Sequence, residues 1–210
     1  MTIIHKLKWR YATKHFEAGK IIPEEDITQL LEATRLSASA LGLQPYKFLV
    51  IKNHDLKKEL AKYSFHGIDV ANASHLIVFA SMNEVSDEYI KETIRMTEEI
   101  RALEPGSLKD LEDLSIKLIR AKSPEELKQW SQKQSYVALA TLILAAADMK
   151  IDMCPMEVID HEAYNQILGL DKENLHATVV GVLGYRKHND PDQFLKKSRR
   201  ALNDLVKLYY

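Results

Sequence analysis

One cysteine in 210 residues, Cys154, excludes an intrachain disulfide and any metal site built from several thiolates. Surplus charge of either sign is also missing. Twenty-nine Lys and Arg stand against 30 Asp and Glu, a formal net charge of −1, so the chain lacks the general positive field of a nucleic-acid or other polyelectrolyte binder. The most apolar stretch, Tyr136 to Ala147, is about half the length that crosses a bilayer and is bracketed by Lys133, Asp148 and Lys150. It predicts a buried helix and no membrane partner. There is no Gly-rich dinucleotide fingerprint and no P-loop, and His161, His176 and His188 lack the mutual spacing of a metal site, so no metal is expected. The start Met-Thr-Ile-Ile-His-Lys lacks the apolar core of a signal peptide; with a lone thiol, a reducing cytoplasmic setting is expected.

What the chain does have is ordinary globular composition, 46% hydrophobic and 28% charged, in a length ample for a well-buried core. No repeat or linker divides it, and a single domain over residues 1–210 is expected. Against the balanced charge, two cationic clusters stand out: Arg10-Tyr11-Ala12-Thr13-Lys14 and Lys197-Ser198-Arg199. Arg10 and Lys14 are four apart, so a helical turn would aim both at one small anion, with a phosphate monoester the natural candidate.

The pattern between the clusters alternates helices and strands. Pro23-Glu24-Glu25 opens a helix to about Arg35, with proline in the first turn and acids against the dipole. A small-residue loop, Ser37 to Gly42, leads into a strand at Tyr46 to Ile51; a helix from about Asp55 to Tyr63 precedes a second strand at Leu76 to Ala80. Ser86 to Arg120 reads as a charged helical pair broken at Pro105-Gly106. Ser123-Pro124-Glu125-Glu126 is a capping box opening a helix to about Met149, whose second half is apolar on nearly every face and needs cover all round, in part from a second subunit. An irregular strand at Ile151 to Met156, a helix at His161 to Leu168, a strand at Ala177 to Gly184 and a basic tail after Pro191 complete the chain.

Five pieces in order resemble the nitroreductase family: Arg10-x-Ala-x-Lys14-x-Phe16; Arg35-x-Ser37-x-Ser39 with Gln44-Pro45-Tyr46-x-Phe48; Ala73-Ser74-His75-Leu76-Ile77-Val78-Phe79; Pro155-Met156-Glu157; and Leu195-Lys-Lys197-Ser-Arg199. The resemblance implies an α+β (α/β) homodimer, with a central mixed, mainly antiparallel sheet surrounded by helices and a C-terminal segment exchanged across the dimer. It implies FMN at the interface, NADH or NADPH as electron donor, and two electrons passed by a ping-pong mechanism to a nitroaromatic, quinone or similar flat small-molecule acceptor. A specialised relative, such as a reductive dehalogenase or flavin-consuming enzyme, and a non-catalytic FMN-binding protein are the alternatives.

Carried over residue by residue, the resemblance gives Arg10, Lys197 and Arg199 to the phosphate side and Lys14 to the ring edge, where a cation stabilises negative charge. Ser37, Ala38, Ser39 and Leu41 match positions that contact flavin from the opposite subunit. Pro155, Met156, Glu157 and Val158 match the segment that packs one ring face and offers a backbone N–H, with Lys14 and Glu157 as the catalytic candidates. The sequence departs from the family pattern at four cofactor positions. Ala12 replaces the usual serine, Val158 a frequent glycine, and His66 an asparagine that bonds the ring. Asp69 stands where some relatives have lysine, a contact that an acid cannot make.

Overall fold

The computed structural model describes residues 2–210. Helix α1 (Ile3–Trp9) packs on the long helix α7 (Pro124–Asp148), as does α2 (Glu24–Arg35). Four strands, β1 (Tyr46–Ile51), β2 (His75–Met82), β3 (Asp152–Met156) and β4 (Leu175–Gly184), form one sheet in the order β1-β2-β4-β3, and every neighbouring pair is antiparallel. The expected mixed character is confined to one parallel bridge, Ala12 to Met153, at the β3 edge.

Both faces of the sheet are covered, which is why its central strands are apolar without alternation. Successive side chains still point to opposite faces. Leu76, Val78 and Ala80 of β2 join Val180 and Val182 of β4 in a core closed by α3 (His54–Ala61), α4 (Gly67–Asn72) and α8 (His161–Leu168). Ile77 and Phe79 join Val179 and Leu183 in a second core under α2 and α7. Full burial of each such side chain stabilises the fold by roughly 1.5–3 kcal/mol. Helices α5 (Asp87–Ile100) and α6 (Lys109–Arg120) pair around a third, smaller cluster with Leu43, Val85, Ile90, Ile94 and Ile119.

The capping box at Ser123 forms as the sequence demands: Ser123 Oγ accepts from Glu126 N, and the Glu126 carboxylate accepts from Ser123 N. Beyond it, α7 buries one face, through Ala138, Leu139, Leu142 and Ala146, while Tyr136, Val137 and Leu144 stay exposed. All-round cover of this helix is therefore not supplied by the chain's own core. After β4 the chain makes a short turn at Pro191–Phe194, a single helical turn α9 (Leu202–Leu205), and an otherwise irregular tail.

Candidate functional site

Residues 10–16 follow α1, but they are not helical. Arg10 already has extended backbone, Ala12 bridges Met153, and Phe16 bridges Arg186. The expected helical turn is replaced by extended chain because this segment finds its partners on β3 and just beyond β4. Glu17 N donates to Tyr185 O and Lys187 N to His15 O, each at 2.8 Å. Phe16 seats against Gly184, where a Cβ would lie only 2.7 Å from its ring. In extended chain, alternate side chains share a face. Arg10 and Lys14 therefore still line one cleft, by a two-residue period instead of a helical one.

That cleft, of about 300 Å³, brings together Arg10, Ala12, Lys14, Lys197 and Arg199 from the two ends of the chain. Lys197 Nζ donates to the carbonyl of Arg10. Burial, then the charge of Arg199, lowers the Arg10 guanidinium from its ordinary value; burial, then Arg10 and Arg199, lowers Lys197. Among the described residues, Arg10, Lys197 and Arg199 have no carboxylate ion-pair partner. Three cations converge without an ion pair of their own, although Asp192 also lines the cleft. Lys14 differs, because its Nζ meets Asp192 Oδ2 at 3.2 Å.

A network at the end of β4 fixes the segment in place. Arg186 donates from its backbone N and its Nε to the buried Asp152 carboxylate, both at 2.8 Å. Its guanidinium also lies over the rings of Trp9 and Tyr11, at 4.4 and 4.6 Å from their centroids. The Tyr11 hydroxyl donates to Asp190 at 2.6 Å, and Asp190 accepts from the backbone of Asp192, the residue that holds Lys14. Burial, then the Asp190 hydrogen bond, raises the Tyr11 phenol. Sequence reasoning missed Arg186, Asp152, Asp190 and Asp192, whose partners on other segments lie 34 to 179 positions away and leave no local pattern.

The remaining candidates lie elsewhere. Met156 is buried in the first core, so any contact it offers a ligand comes from its backbone; Pro155 is half-buried, and Val158 is exposed beside Phe65. Glu157 is exposed and its charge reaches Tyr136 of α7; burial, then that charge, pushes the Tyr136 phenol up to about 12. The His66 ring sits edge-on against Phe65 at 4.4 Å, at the start of α4. Ser37, Ala38, Ser39 and Leu41 do not join the cationic cleft within one chain. Ser37 faces the Tyr46 hydroxyl at 3.2 Å, Ser39 Oγ accepts from Gln44 N, and Leu41 takes a left-handed φ of 58°.

Set against known proteins, residues 7–185 match the model of the Nitroreductase family. A Staphylococcus haemolyticus protein provisionally named an NAD(P)H nitroreductase is 34% identical over 216 residues, covering 98% of this chain and 96% of its own length. Two solved structures share the fold. One, of a provisionally named nitroreductase from Bacillus subtilis, has a TM-score of 0.87 at 18% identity with 98% of each chain covered. The other, from Exiguobacterium sibiricum and solved in complex with FMN, has a TM-score of 0.84 at 21% identity, covering all of this chain and 98% of that one. With a family match that runs from α1 to the end of β4 and a relative aligned along nearly its whole length, the chain belongs to the nitroreductase family.

Proposed function

We propose that this chain is an FMN-dependent oxidoreductase that takes electrons from NADH or NADPH, works as a homodimer in the cytoplasm, and serves a flat acceptor such as a nitroaromatic or quinone by a ping-pong mechanism. The observation that carries the cofactor assignment is the convergence of Arg10, Lys197 and Arg199, none of them ion-paired, in a cleft whose one acid, Asp192, is engaged by Lys14. Like charges held together in a partly buried cleft are unfavourable until an anion joins them. A phosphate monoester, carrying close to two charges near neutral pH, suits three such donors. The residues present therefore fit the phosphate end of FMN.

Bound FMN supplies a ring that takes hydride from the nicotinamide donor and gives two electrons to the acceptor. In this reading Arg10, Lys197 and Arg199 grip the phosphate, and the Trp9–Arg186–Tyr11 stack keeps Arg10 aimed at it. Lys14, steadied by Asp192, faces the polar edge of the ring, where a cation favours added negative charge. Pro155, Met156, Glu157 and Val158 contribute chiefly backbone, since Met156 turns its side chain into the core and the Glu157 charge reaches Tyr136. Ser37, Ala38, Ser39 and Leu41 reach the cofactor held by the second copy, which accounts for their distance from the cleft of their own chain. His66 follows Phe65, whose backbone N–H donates to Val158 O, and Ala12 closes the cleft without a hydroxyl.

Support for two copies comes from surface the chain leaves bare. Phe194, Leu195, Leu202, Leu205, Leu208 and Tyr209 are all exposed along the tail. No helix among the described residues is long and apolar enough to cross a membrane, so these side chains fit a second protein surface better.

The test is anaerobic mixing of the FMN-loaded protein with NADH or NADPH. Loss of the visible flavin absorbance, followed by its return on adding menadione or a nitrofuran, is expected. Retention of colour with both nucleotides would contradict the oxidoreductase assignment.

A further inference from the structure

Asp69, in the first turn of α4, is 3% exposed, and its Oδ2 is buried without a hydrogen-bond partner among the described residues. A buried carboxylate oxygen with no donor is unfavourable, and few native structures leave one without a reason. The groups whose charge reaches it, or that feel its charge, come from several elements. They are His66 at the cap of its own helix, Lys14 and His15 on the extended segment, Asp190 before the C-terminal turn, and Cys154 on β3. Lys14 lines the cationic cleft, and Cys154 feels both Asp69 and Arg10. Ala12, which lines that cleft, packs on the core that holds Cys154 and Val70, the residue after Asp69 in α4, so Asp69 lies behind the cleft without lining it.

Burial raises the carboxyl above its ordinary range, opposed by His66, His15 and Lys14, while Asp190 adds to the rise. Burial, then Asp69, pushes the Cys154 thiol up to about 11, so it stays protonated near neutral pH and adds no charge of its own. A carboxyl so placed, with one oxygen unengaged, responds to any new charge brought near Lys14.

Resting on the FMN reading above, we propose that Asp69 is a redox-linked proton site: its free oxygen takes up a proton from solvent when two electrons place negative charge in the cleft beside Lys14. The new O–H bond forms on the Asp69 carboxylate, the proton comes from a buffer acid in water, and the electrons come from the nicotinamide donor. Linkage makes the coupling reciprocal. If added electrons raise the proton affinity of Asp69, protonation of Asp69 raises the midpoint potential by the same free energy.

The experiment is spectroelectrochemical titration of the FMN-loaded protein over a range of pH, with Asp69→Asn beside wild type. The variant keeps the side-chain shape and removes the charge. It is expected to retain FMN, to have a midpoint potential higher by about tenfold in the two-electron equilibrium constant, about 30 mV, and to lose a pH-dependent step that wild type shows. Carbon-13 carboxyl NMR of aspartate-labelled wild-type holoprotein gives a second readout that needs no variant. One aspartate should titrate at higher pH after electrochemical reduction than before. An Asp69→Asn protein with wild-type potential and pH profile, or an NMR titration in which no aspartate moves on reduction, would overturn the proposal while leaving FMN binding intact. Failure of wild type to bind FMN would appear before either readout and would overturn the cofactor reading itself.

Discussion

At the residue scale, the cationic cleft and its support make different demands. Arg10 and Arg199 share whatever anion enters, so Arg10→Ala or Arg199→Ala should weaken FMN retention by roughly 1.5–3 kcal/mol, the contribution of a hydrogen bond to a charged group. That is about ten- to a hundredfold in Kd by fluorescence titration, with little change in melting temperature; equal affinity in wild type and both variants would remove these residues from the site. Asp152→Asn should behave in the opposite way. It leaves the half-buried Arg186 without its counter-charge, a class of change that costs up to about 3–5 kcal/mol when the pair is fully buried, and chemical denaturation should show the loss even without cofactor. The sequence made the cations legible because two basic clusters stand out from a balanced composition. It reached the shared face of Arg10 and Lys14 through the wrong period, since spacing alone does not separate a helical turn from extended chain pinned to Met153 and Arg186. The acids that complete the site could not be read at all. Asp190 and Asp192 look like turn residues around Pro191 until the fold brings Tyr11 and Lys14 to them.

At the element scale, most boundaries were legible, because each rested on a local cause: the capping box of α7, the acidic first turn of α2, the apolar runs of β2 and β4. Helix α4 was not, being only six residues long; besides burying Val70 in the first core, it makes one very close approach to α3. A Cβ on Gly67 would lie 2.0 Å from the backbone oxygen of Ala61, and backbone cannot yield as a side chain tip can. Gly67→Ala should therefore cost on the order of 1–3 kcal/mol or more. It should also displace His66 and Asp69, so denaturation midpoint and FMN affinity should fall together; a variant as stable as wild type would mean that α4 moves freely. A pH effect belongs to the junction of α8 and β4. Burial, then Lys128 and His161, lowers His176 from its ordinary value to about 4. Between that value and about 6.5 the unfolded chain binds the proton and the folded chain does not, so stability rises with pH across this window and is lost as pH falls through it. Thermal melts near pH 7 and pH 5 should differ, and His176→Phe should narrow the difference. An unchanged difference would place the titrating group elsewhere.

At the scale of the whole molecule, the chain leaves apolar surface bare in two places. Tyr136, Val137 and Leu144 of α7 and the apolar side chains of the tail stay exposed. The sequence signalled this in the all-round apolarity of α7, but how far the chain's own core would cover that helix could be known only once the two packed layers were built. If the site needs two copies, cofactor and dimer stand together. Sedimentation velocity at micromolar concentration, followed at the visible absorbance of FMN, tests that most directly. The account predicts that the flavin travels wholly with a dimer of the 24.1 kDa chain. Flavin travelling with the monomer, or a dimer that leaves the flavin behind, would contradict it.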